Sequence, residues 1–287
     1  MFANIKYHSC YNYEEVFALL TDENLKSCII AGGTDVVIGI RNNSSRFDAI
    51  NTLIDLKNIK NIDKIYETES EVFIGSYATF TNIFDNEIIK KYYPLLISAV
   101  SKIGNLQVRN RATIGGNIVN CAPCADSVPP LLVYDADVVI RNNEKSYKIP
   151  LSEFLISPYK TKLGKTEVLE AVVLPKNKVN YKGKFVKLGK RKGVAISRLT
   201  FAILVNEENS LIKGIKIASG AITPIATRFY EIEEKFKNVY SNDDTIINLV
   251  TEIAKLILSK TGIRWSYPYK LPVFQQLLFN ELKKLLQ

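Results

Sequence analysis

The 287-residue sequence has one histidine, four cysteines and no long apolar run. A Ser-His-Asp triad or a His-rich metal site would depend on His8 alone, which disfavours classical hydrolases and zinc hydrolases. Four cysteines in so long a chain do not build a disulfide scaffold. The apolar run LTFAILV is far below the ~20 residues that span a bilayer, and the start MFANIKYHSC lacks a signal-peptide core. We therefore expect a soluble, cytoplasmic protein without membrane association.

Acidic residues are outnumbered, with 29 Asp and Glu against 38 Lys and Arg, which gives a net charge of +9. The cations are scattered, and the densest stretch, KLGKRKG, is short and has no interleaved aromatic residues on which bases could stack. We therefore expect no nucleic-acid binding. The excess positive charge suits phosphates or acidic partner subunits.

The apolar spacing predicts an α+β protein. Strands are expected at residues 4–10, 27–33, 48–56, 71–79, 167–175, 181–189, 197–206 and 211–222. Helices are expected at residues 12–22, 35–43, 79–104 (as two helices), 243–259 and from Pro272 onward. A helix, a strand, a turn at Asn142-Asn143 and a second strand should follow Pro129. The polar link at residues 175–180 predicts a domain boundary.

Two glycine pairs carry the functional signal, and the first is Gly32-Gly33 in IIAGGTDVV. Glycine lets the backbone turn with positive φ and lets a ligand approach closely. Exposed N–H groups at a helix start then favour a phosphate. The pattern is neither G-x-G-x-x-G nor a P-loop, so an ordinary strand-to-helix turn stays an alternative.

The second pair, Gly115-Gly116 in ATIGGNIVN, repeats this feature as a loop. Thr113 and Asn117 offer donors beside it, and Asp126 can accept from a ribose or ribityl hydroxyl. The two pairs together predict two walls of one extended dinucleotide cleft. As alternatives, Asp126 could cap the turn before Pro129-Pro130, and Lys187 could be a solvated lysine.

Several motifs, in this order, resemble the FAD-binding medium subunit of molybdenum hydroxylases, a group that includes xanthine dehydrogenase and carbon monoxide dehydrogenase. The motifs are AGGTDVVIGIR, RNRATIGGNI, the pattern P-x-x-D-x-x-P from Pro123, EVLEAVVLP and KFVKLGKRKG. They cover nearly the whole chain. The closest resemblance is to the separate flavin subunit of bacterial xanthine dehydrogenases.

The resemblance implies a two-lobed FAD-binding domain of the vanillyl-alcohol-oxidase type over residues 1–176, followed by a smaller α+β flavoprotein C-terminal domain over residues 177–287. Within the first domain, a small α/β lobe would cover about residues 1–56 and a larger antiparallel-sheet lobe about residues 57–176. FAD would extend between the two lobes.

The resemblance also assigns FAD contacts, with Ile103 and Gly104 on the adenine side, Asp126 on sugar hydroxyls and Arg191 near the flavin. The full set of implied FAD-binding residues is Ile29, Ile30, Ala31, Gly32, Gly33, Thr34, Asp35, Val36, Ile103, Gly104, Thr113, Gly116, Asn117, Asn120, Asp126, Leu169 and Lys187.

By the same resemblance, a molybdenum-cofactor subunit oxidises the substrate, a 2Fe-2S subunit passes single electrons, and FAD transfers two of them to NAD. No side chain of this chain needs to act as a catalytic acid or base, and no metal site is expected. Two alternative functions remain. The chain could be the flavin subunit of a molybdenum dehydrogenase that acts on carbon monoxide, an aldehyde or an aromatic acyl-CoA, or it could be a non-catalytic nucleotide-binding assembly module.

Cys121 and Cys124 stand where the relatives carry small residues. A redox pair needs a helix start after the first thiol, and Pro123 lies there instead. An iron-sulfur cluster needs about four thiolates, and Cys10 and Cys28 are distant in sequence. We expect the two cysteines to be small buried fillers beside the flavin. Trp265 and its neighbouring tyrosines are expected to pack at the end of the domain.

Overall fold

A three-stranded parallel sheet forms the N-terminal part of the chain in the computed structural model, which describes residues 5–176, 179–191 and 193–286. Its strands lie in the order β1–β3–β2, and the helices make the crossovers that parallel strands require. Asn12 caps the first helix by accepting from the Glu15 N–H. The elements are β1 (Lys6–Ser9), α1 (Tyr13–Thr21), β2 (Ser27–Ile30), α2 (Val36–Arg41) and β3 (Thr52–Asp55).

A five-stranded antiparallel sheet follows, in the order β4–β5–β10–β6–β7. One face of it is buried because apolar residues alternate along the strands, as at Val72 and Ile74 and at Val138 and Ile140. The elements are β4 (Ile65–Glu67), β5 (Glu71–Gly75), α3 (Phe80–Asp85), α4 (Glu87–Tyr92), α5 (Pro94–Val100), α6 (Leu106–Arg109), α7 (Ile114–Asn120), α8 (Val128–Val133), β6 (Asp137–Arg141), β7 (Ser146–Pro150), α9 (Leu151–Phe154), β8 (Leu155–Ser157), β9 (Lys160–Thr161) and β10 (Val168–Pro175).

The C-terminal part is a four-stranded antiparallel sheet, β11 to β14 in chain order, with helices packed on one face. Phe201 of the sheet meets Phe274 of the last helix edge to face, with ring centroids 5.7 Å apart. The elements are β11 (Lys182–Gly189), β12 (Ser197–Glu208), β13 (Leu211–Gly220), β14 (Thr227–Arg228), α10 (Tyr230–Lys235), α11 (Asp243–Thr261) and α12 (Tyr267–Leu285).

The largest hydrophobic core joins the two antiparallel sheets. It contains the buried faces of β5, β6 and β10 together with Phe185, Ala202, Leu204 and Ala218 from β11 to β13. The division at residues 176 and 177 stays a prediction, and residues 177 and 178 of the predicted link lie outside the described part of the chain.

The structure confirms a mixed α and β composition and most of the expected elements, with several corrections. The second glycine pair is not in a loop, because Ile114–Asn120 form the helix α7. The last helix begins at Tyr267, since Pro272 is accommodated inside it rather than starting it. The helical stretch at 79–104 is three helices, because Asn86 caps α4 and Pro94 starts α5. The sequence did not predict four strands and three helices: β4, β8, β9, β14, α6, α9 and α10. Residue 4 of the first predicted strand is not described.

Among the described residues, every helix is too short or too polar to serve as a bilayer-spanning segment.

Candidate functional site

The turn between β2 and α2 presents unpaired backbone donors. The N–H groups of residues 32–36 donate to no other described residue, and the first helical donors are Val37 to the Gly33 carbonyl at 3.1 Å and Gly39 to the Asp35 carbonyl at 2.8 Å. Gly33 has a φ of +71°, which L side chains rarely adopt. The turn therefore has the free N–H groups and the glycine conformation that an anion-binding turn requires, and anion binding at this position stays a prediction.

The second glycine pair lies in the first turn of α7. Thr113 caps the helix, and its hydroxyl accepts from the Gly116 N–H at 3.1 Å. Gly115 is buried against Ser76, whose carbonyl oxygen a Cβ on Gly115 would approach to 2.6 Å. Gly116 is exposed. The cap explains the wrong loop prediction, because a Thr in the capping position compensates for the poor helix propensity of two glycines.

The structure brings the two glycine segments into contact. A Cβ on Gly32 would lie 1.8 Å from the Arg111 carbonyl oxygen, so only glycine permits this approach. A Cβ on Gly116 would lie 3.8 Å from the Cβ of Ala31. The two segments, called the two walls below, thus lie side by side, and the dinucleotide cleft between them stays a prediction.

Arg46 connects these two walls and was missed by sequence reasoning. Its guanidinium donates to Asp35 Oδ2 at 3.2 Å and to Asn120 Oδ1 at 2.6 Å. The same group lies over the ring of Tyr159, 4.2 Å from the ring centroid, and 5.0 Å from that of Phe47. No motif marks Arg46, since it follows a run of polar residues and its partner Asn120 is 74 positions away.

Asp126 and Lys187 form a buried ion pair. Lys187 Nζ lies 2.6 Å from Asp126 Oδ2, and Ser197 donates to Asp126 Oδ1 at 2.5 Å. The side chains of Lys187 and Asp126 are only 9% and 7% exposed. Burial raises the pKa of Asp126, against the opposing effects of Lys187 and Ser197. The alternative of a solvated Lys187 is therefore wrong, and both Asp126 oxygens already accept from protein groups.

Lys187 also connects this pair to the predicted adenine side. Its Nζ donates to the Lys102 carbonyl at 2.8 Å, directly before Ile103 and Gly104. Gly104 has a φ of +48°, and the Ile103 carbonyl accepts from Arg109 at 3.0 Å. The structure thus groups Ile103, Gly104, Asp126 and Lys187.

Three further predicted residues, Asn117, Leu169 and Arg191, make contacts within the protein itself. Asn117 accepts from Ser127 at 2.7 Å, which links α7 to the start of α8. Leu169 is 6% exposed and belongs to the large core. Arg191 is exposed and donates to the Val194 carbonyl of its own loop at 2.6 Å.

Tyr77 forms hydrogen bonds beside the first glycine turn, and the sequence analysis did not identify it. Its hydroxyl donates to the Ile30 carbonyl at 2.7 Å and accepts from the Leu56 N–H at 2.9 Å. Burial strongly raises the pKa of Tyr77, so the hydroxyl stays protonated and able to donate. It holds the end of β2 immediately before Gly32.

The sequence profile of the family described as "FAD binding domain in molybdopterin dehydrogenase" matches residues 3–177. The chain belongs to this family. FAD is its cofactor, and the prediction of FAD is thereby confirmed.

Similar proteins include molybdopterin dehydrogenase subunits of several kinds. The xanthine dehydrogenase FAD-binding subunit of Escherichia coli O157:H7 is 29% identical over 96% of this chain and 94% of its own length. The nicotinate dehydrogenase FAD-subunit of Eubacterium barkeri is 29% identical over 77% of this chain and 75% of its own. A solved carbon monoxide dehydrogenase from Hydrogenophaga pseudoflava shares the fold, with a TM-score of 0.87 at 23% identity over 99% of this chain and 96% of the other.

The residues at the glycine walls fit the cofactor of this family. A diphosphate needs several donors and close backbone approach, and residues 32–36 supply unpaired N–H groups at a glycine turn. A hydrogen bond from such a group to a charged oxygen contributes about 1.5–3 kcal/mol. The positive guanidinium of Arg46 adjoins the same turn through Asp35. Neutral donors can thus hold the phosphates without a P-loop lysine.

The four cysteines are free thiols in the described structure. Cys121 is buried with a left-handed φ of 47°, and its Sγ lies 3.4 Å from the Ser157 carbonyl oxygen. Cys124 is half-buried. Burial raises the pKa of both thiols, which disfavours the reactive thiolate. The described His, Cys, Asp and Glu side chains form no group of three that could hold a metal ion.

The expected packing of Trp265 is wrong. Trp265 is 92% exposed, whereas the neighbouring Tyr267 is 4% exposed and donates to the Ile222 carbonyl at 3.0 Å. The aromatic run thus splits into one buried residue, Tyr267, and two exposed ones, Trp265 and Tyr269. Trp265 is exposed because it lies in the turn just before α12 begins.

Proposed function

We propose that the chain is the FAD-binding subunit of a xanthine dehydrogenase-type molybdenum hydroxylase. The observation that carries this proposal is the likeness to a xanthine dehydrogenase FAD-binding subunit over 96% of this chain. Its partners would be a molybdenum-cofactor subunit and a 2Fe-2S subunit, and NAD would accept the electrons. We place the complex in the cytoplasm.

For the architecture, we propose the two-lobed arrangement of the vanillyl-alcohol-oxidase type. The parallel sheet of β1 to β3 would be the small lobe, the five-stranded sheet β4–β5–β10–β6–β7 would form the larger lobe, and residues 177–287 would be the C-terminal domain. The contact between Gly32 and the segment at Arg111 supports a cofactor that extends along the junction of the two lobes.

The protein's own groups would bind and orient the cofactor rather than transfer protons. When bound, FAD collects two electrons and releases them as a hydride, which is chemistry of the cofactor itself. The N–H groups of residues 32–36 would hold the diphosphate, with Arg46 keeping the two walls at a fixed separation. The Asp126 carboxylate, held by Lys187 and Ser197, would accept from a sugar hydroxyl through a remaining lone pair.

A second candidate is a flavin subunit for another substrate, because similar proteins include carbon monoxide and glyceraldehyde dehydrogenase medium chains at 27% and 26% identity. The substrate would bind on another subunit, so residues of this chain do not separate these activities.

The test uses the purified complex. We would measure the FAD content per chain and the reduction of NAD to NADH with xanthine, nicotinate, glyceraldehyde or carbon monoxide as the electron donor. We expect one FAD per chain, turnover of xanthine, and anaerobic bleaching of the flavin by NADH. Flavin that dithionite reduces but NADH does not would refute NAD as the acceptor. A complex without FAD would refute the proposal, and turnover of another substrate alone would replace xanthine.

A further inference from the structure

The turn between α11 and α12 exposes two large apolar side chains, Ile263 at 90% and Trp265 at 92%. Tyr269, one helical turn later, is 55% exposed. Hydrogen bonds hold the turn at both ends, from the Gly262 N–H to the Leu258 carbonyl and from the Tyr267 N–H to the Arg264 carbonyl, both at 2.9 Å. The protein therefore presents these side chains on an ordered segment, which is unfavourable in water and typical of an interaction surface.

Three cations lie around this turn: Arg264 between the two apolar residues, Lys270 in α12 and Arg198 in β12. Burial lowers the pKa of Lys270, and the nearby charges of Arg198 and Arg264 lower it further. Among the ion pairs of the described residues, none involves Arg198 or Arg264. The cluster therefore keeps mutually repelling charges that an acidic surface would neutralise.

The same surface is connected to the FAD-binding segment by two hydrogen bonds. Lys270 Nζ donates to the Ala221 carbonyl at 2.8 Å, and the Ala221 N–H donates to the Pro123 carbonyl at 2.9 Å. Ala221 has a φ of +60°, an unfavourable conformation for alanine. Arg198 follows Ser197, which donates to Asp126.

We propose that Ile263, Trp265 and Tyr269, with Arg198, Arg264 and Lys270, form a docking surface for an acidic electron-transfer subunit of the same complex. The identity of the occupant rests on the proposed function. Trp, Tyr and Arg are the residues that contribute most at protein interfaces. Because Asp126 is proposed to contact a sugar hydroxyl of FAD, the connection to Pro123 and Asp126 favours a partner that lies close to the bound cofactor. Three cations are too few to follow a nucleic-acid backbone or to hold an anionic membrane.

The test uses the full chain loaded with FAD and the purified iron-sulfur subunit of its own complex. The variant I263S/W265A removes the apolar part, and R198E/R264E reverses the charge while keeping Lys270 and its bond to Ala221. The matched control is Y240A/I247S, because Tyr240 and Ile247 are exposed at 64% and 50% in the same C-terminal part. Binding is measured by sedimentation at low and high salt, with FAD content and melting temperature recorded for each variant.

We expect I263S/W265A to weaken subunit binding roughly thirtyfold, with FAD content and melting temperature unchanged. R198E/R264E should also weaken binding and abolish its salt dependence, whereas the control should match the parent chain. Unchanged binding in both variants would overturn the proposal. So would a wild-type chain that dimerises through this surface, or one that binds phosphatidylserine vesicles or a DNA oligonucleotide through it and not the subunit. A parent chain that lacks FAD but binds the subunit would refute only the proposed function.

Discussion

At the scale of single residues, Asp126 and Lys187 form a buried ion pair beside the proposed FAD site. Both side chains are at least nine-tenths buried, and Ser197 completes the arrangement. Removing one charge of such a pair leaves the other buried without compensation. The pair also closes a long loop, because its two residues are 61 positions apart.

We expect Lys187→Met to lower the free energy of unfolding by about 3–5 kcal/mol at neutral pH. Burial already raises the pKa of Asp126, and without Lys187 it rises further. The folded variant then binds a proton that the unfolded chain releases above a pH of about 4, so the destabilisation grows as pH rises and shrinks in acid. Urea titrations of variant and parent between acidic and neutral pH measure this difference.

The control is the double variant Lys187→Met/Asp126→Asn, in which the amide can still accept from Ser197. It should recover part of the lost stability and show little dependence on pH. A Lys187→Met variant that loses the same free energy at every pH would contradict a charged Asp126.

At the scale of elements, the site depends on how α2 and α7 are held together. The start of α2 carries the free N–H groups, and the end of α7 carries Asn120. Arg46 bridges Asp35 and Asn120 while packing on Tyr159. Because the pair with Asp35 is largely exposed, it contributes little to folding stability, and its main effect is on the spacing of the two walls.

We expect Arg46→Ala to weaken FAD binding roughly tenfold, the effect of one charged interaction, with the melting temperature nearly unchanged. Arg46→Lys should restore little, since one ammonium cannot replace a planar group that bonds two partners and stacks on a ring. The control is Arg41→Ala, an exposed arginine at the end of α2. Fluorescence titration of the apoprotein with FAD measures the affinities, and equal affinities in all variants would refute the bridge.

At the scale of the whole molecule, one hydrophobic core spans the predicted domain boundary. Phe185, Ala202 and Leu204 pack with the antiparallel sheet of the preceding part. A chain that ends at residue 176 would expose the apolar surface that these residues cover. The five-stranded and the four-stranded sheets thus lie on opposite sides of the predicted domain boundary, whereas the hydrophobic core contains residues from both sides.

We expect the fragment 1–176 to lose cooperative unfolding, although it contains every residue of β1 to β10 and of α1 to α9. Near-ultraviolet circular dichroism during a urea titration would show a single sharp transition for the full chain and a broad one for the fragment. The control is the full chain cleaved after residue 176 with both parts kept together, which should unfold like the intact chain. A sharp transition of the fragment alone would instead support an independent first domain.

Much of the fold was predictable because it depends on local patterns. The alternation in β5 and β6 and the period of α11 appear directly in the sequence. The glycine pair was recognisable as a special turn. Gly32 leaves no room for a side chain beside the Arg111 backbone, and Gly33 has a positive φ. Local rules failed at two helices. In α7 the capping residue Thr113 outweighed the helix-breaking tendency of the glycine pair. In α12 Pro272 lies inside the helix, although it was predicted to start it.

Short-range spacing and motifs were sufficient to predict most strands and helices, the two glycine segments and the family. Long-range packing was needed to show that Arg46 meets Asn120, that Lys187 is buried against Asp126, and that Trp265 is left exposed. These outcomes depend on which distant segments pack together. Residues far apart in the chain acquire their partners and their burial only when the sheets and helices assemble.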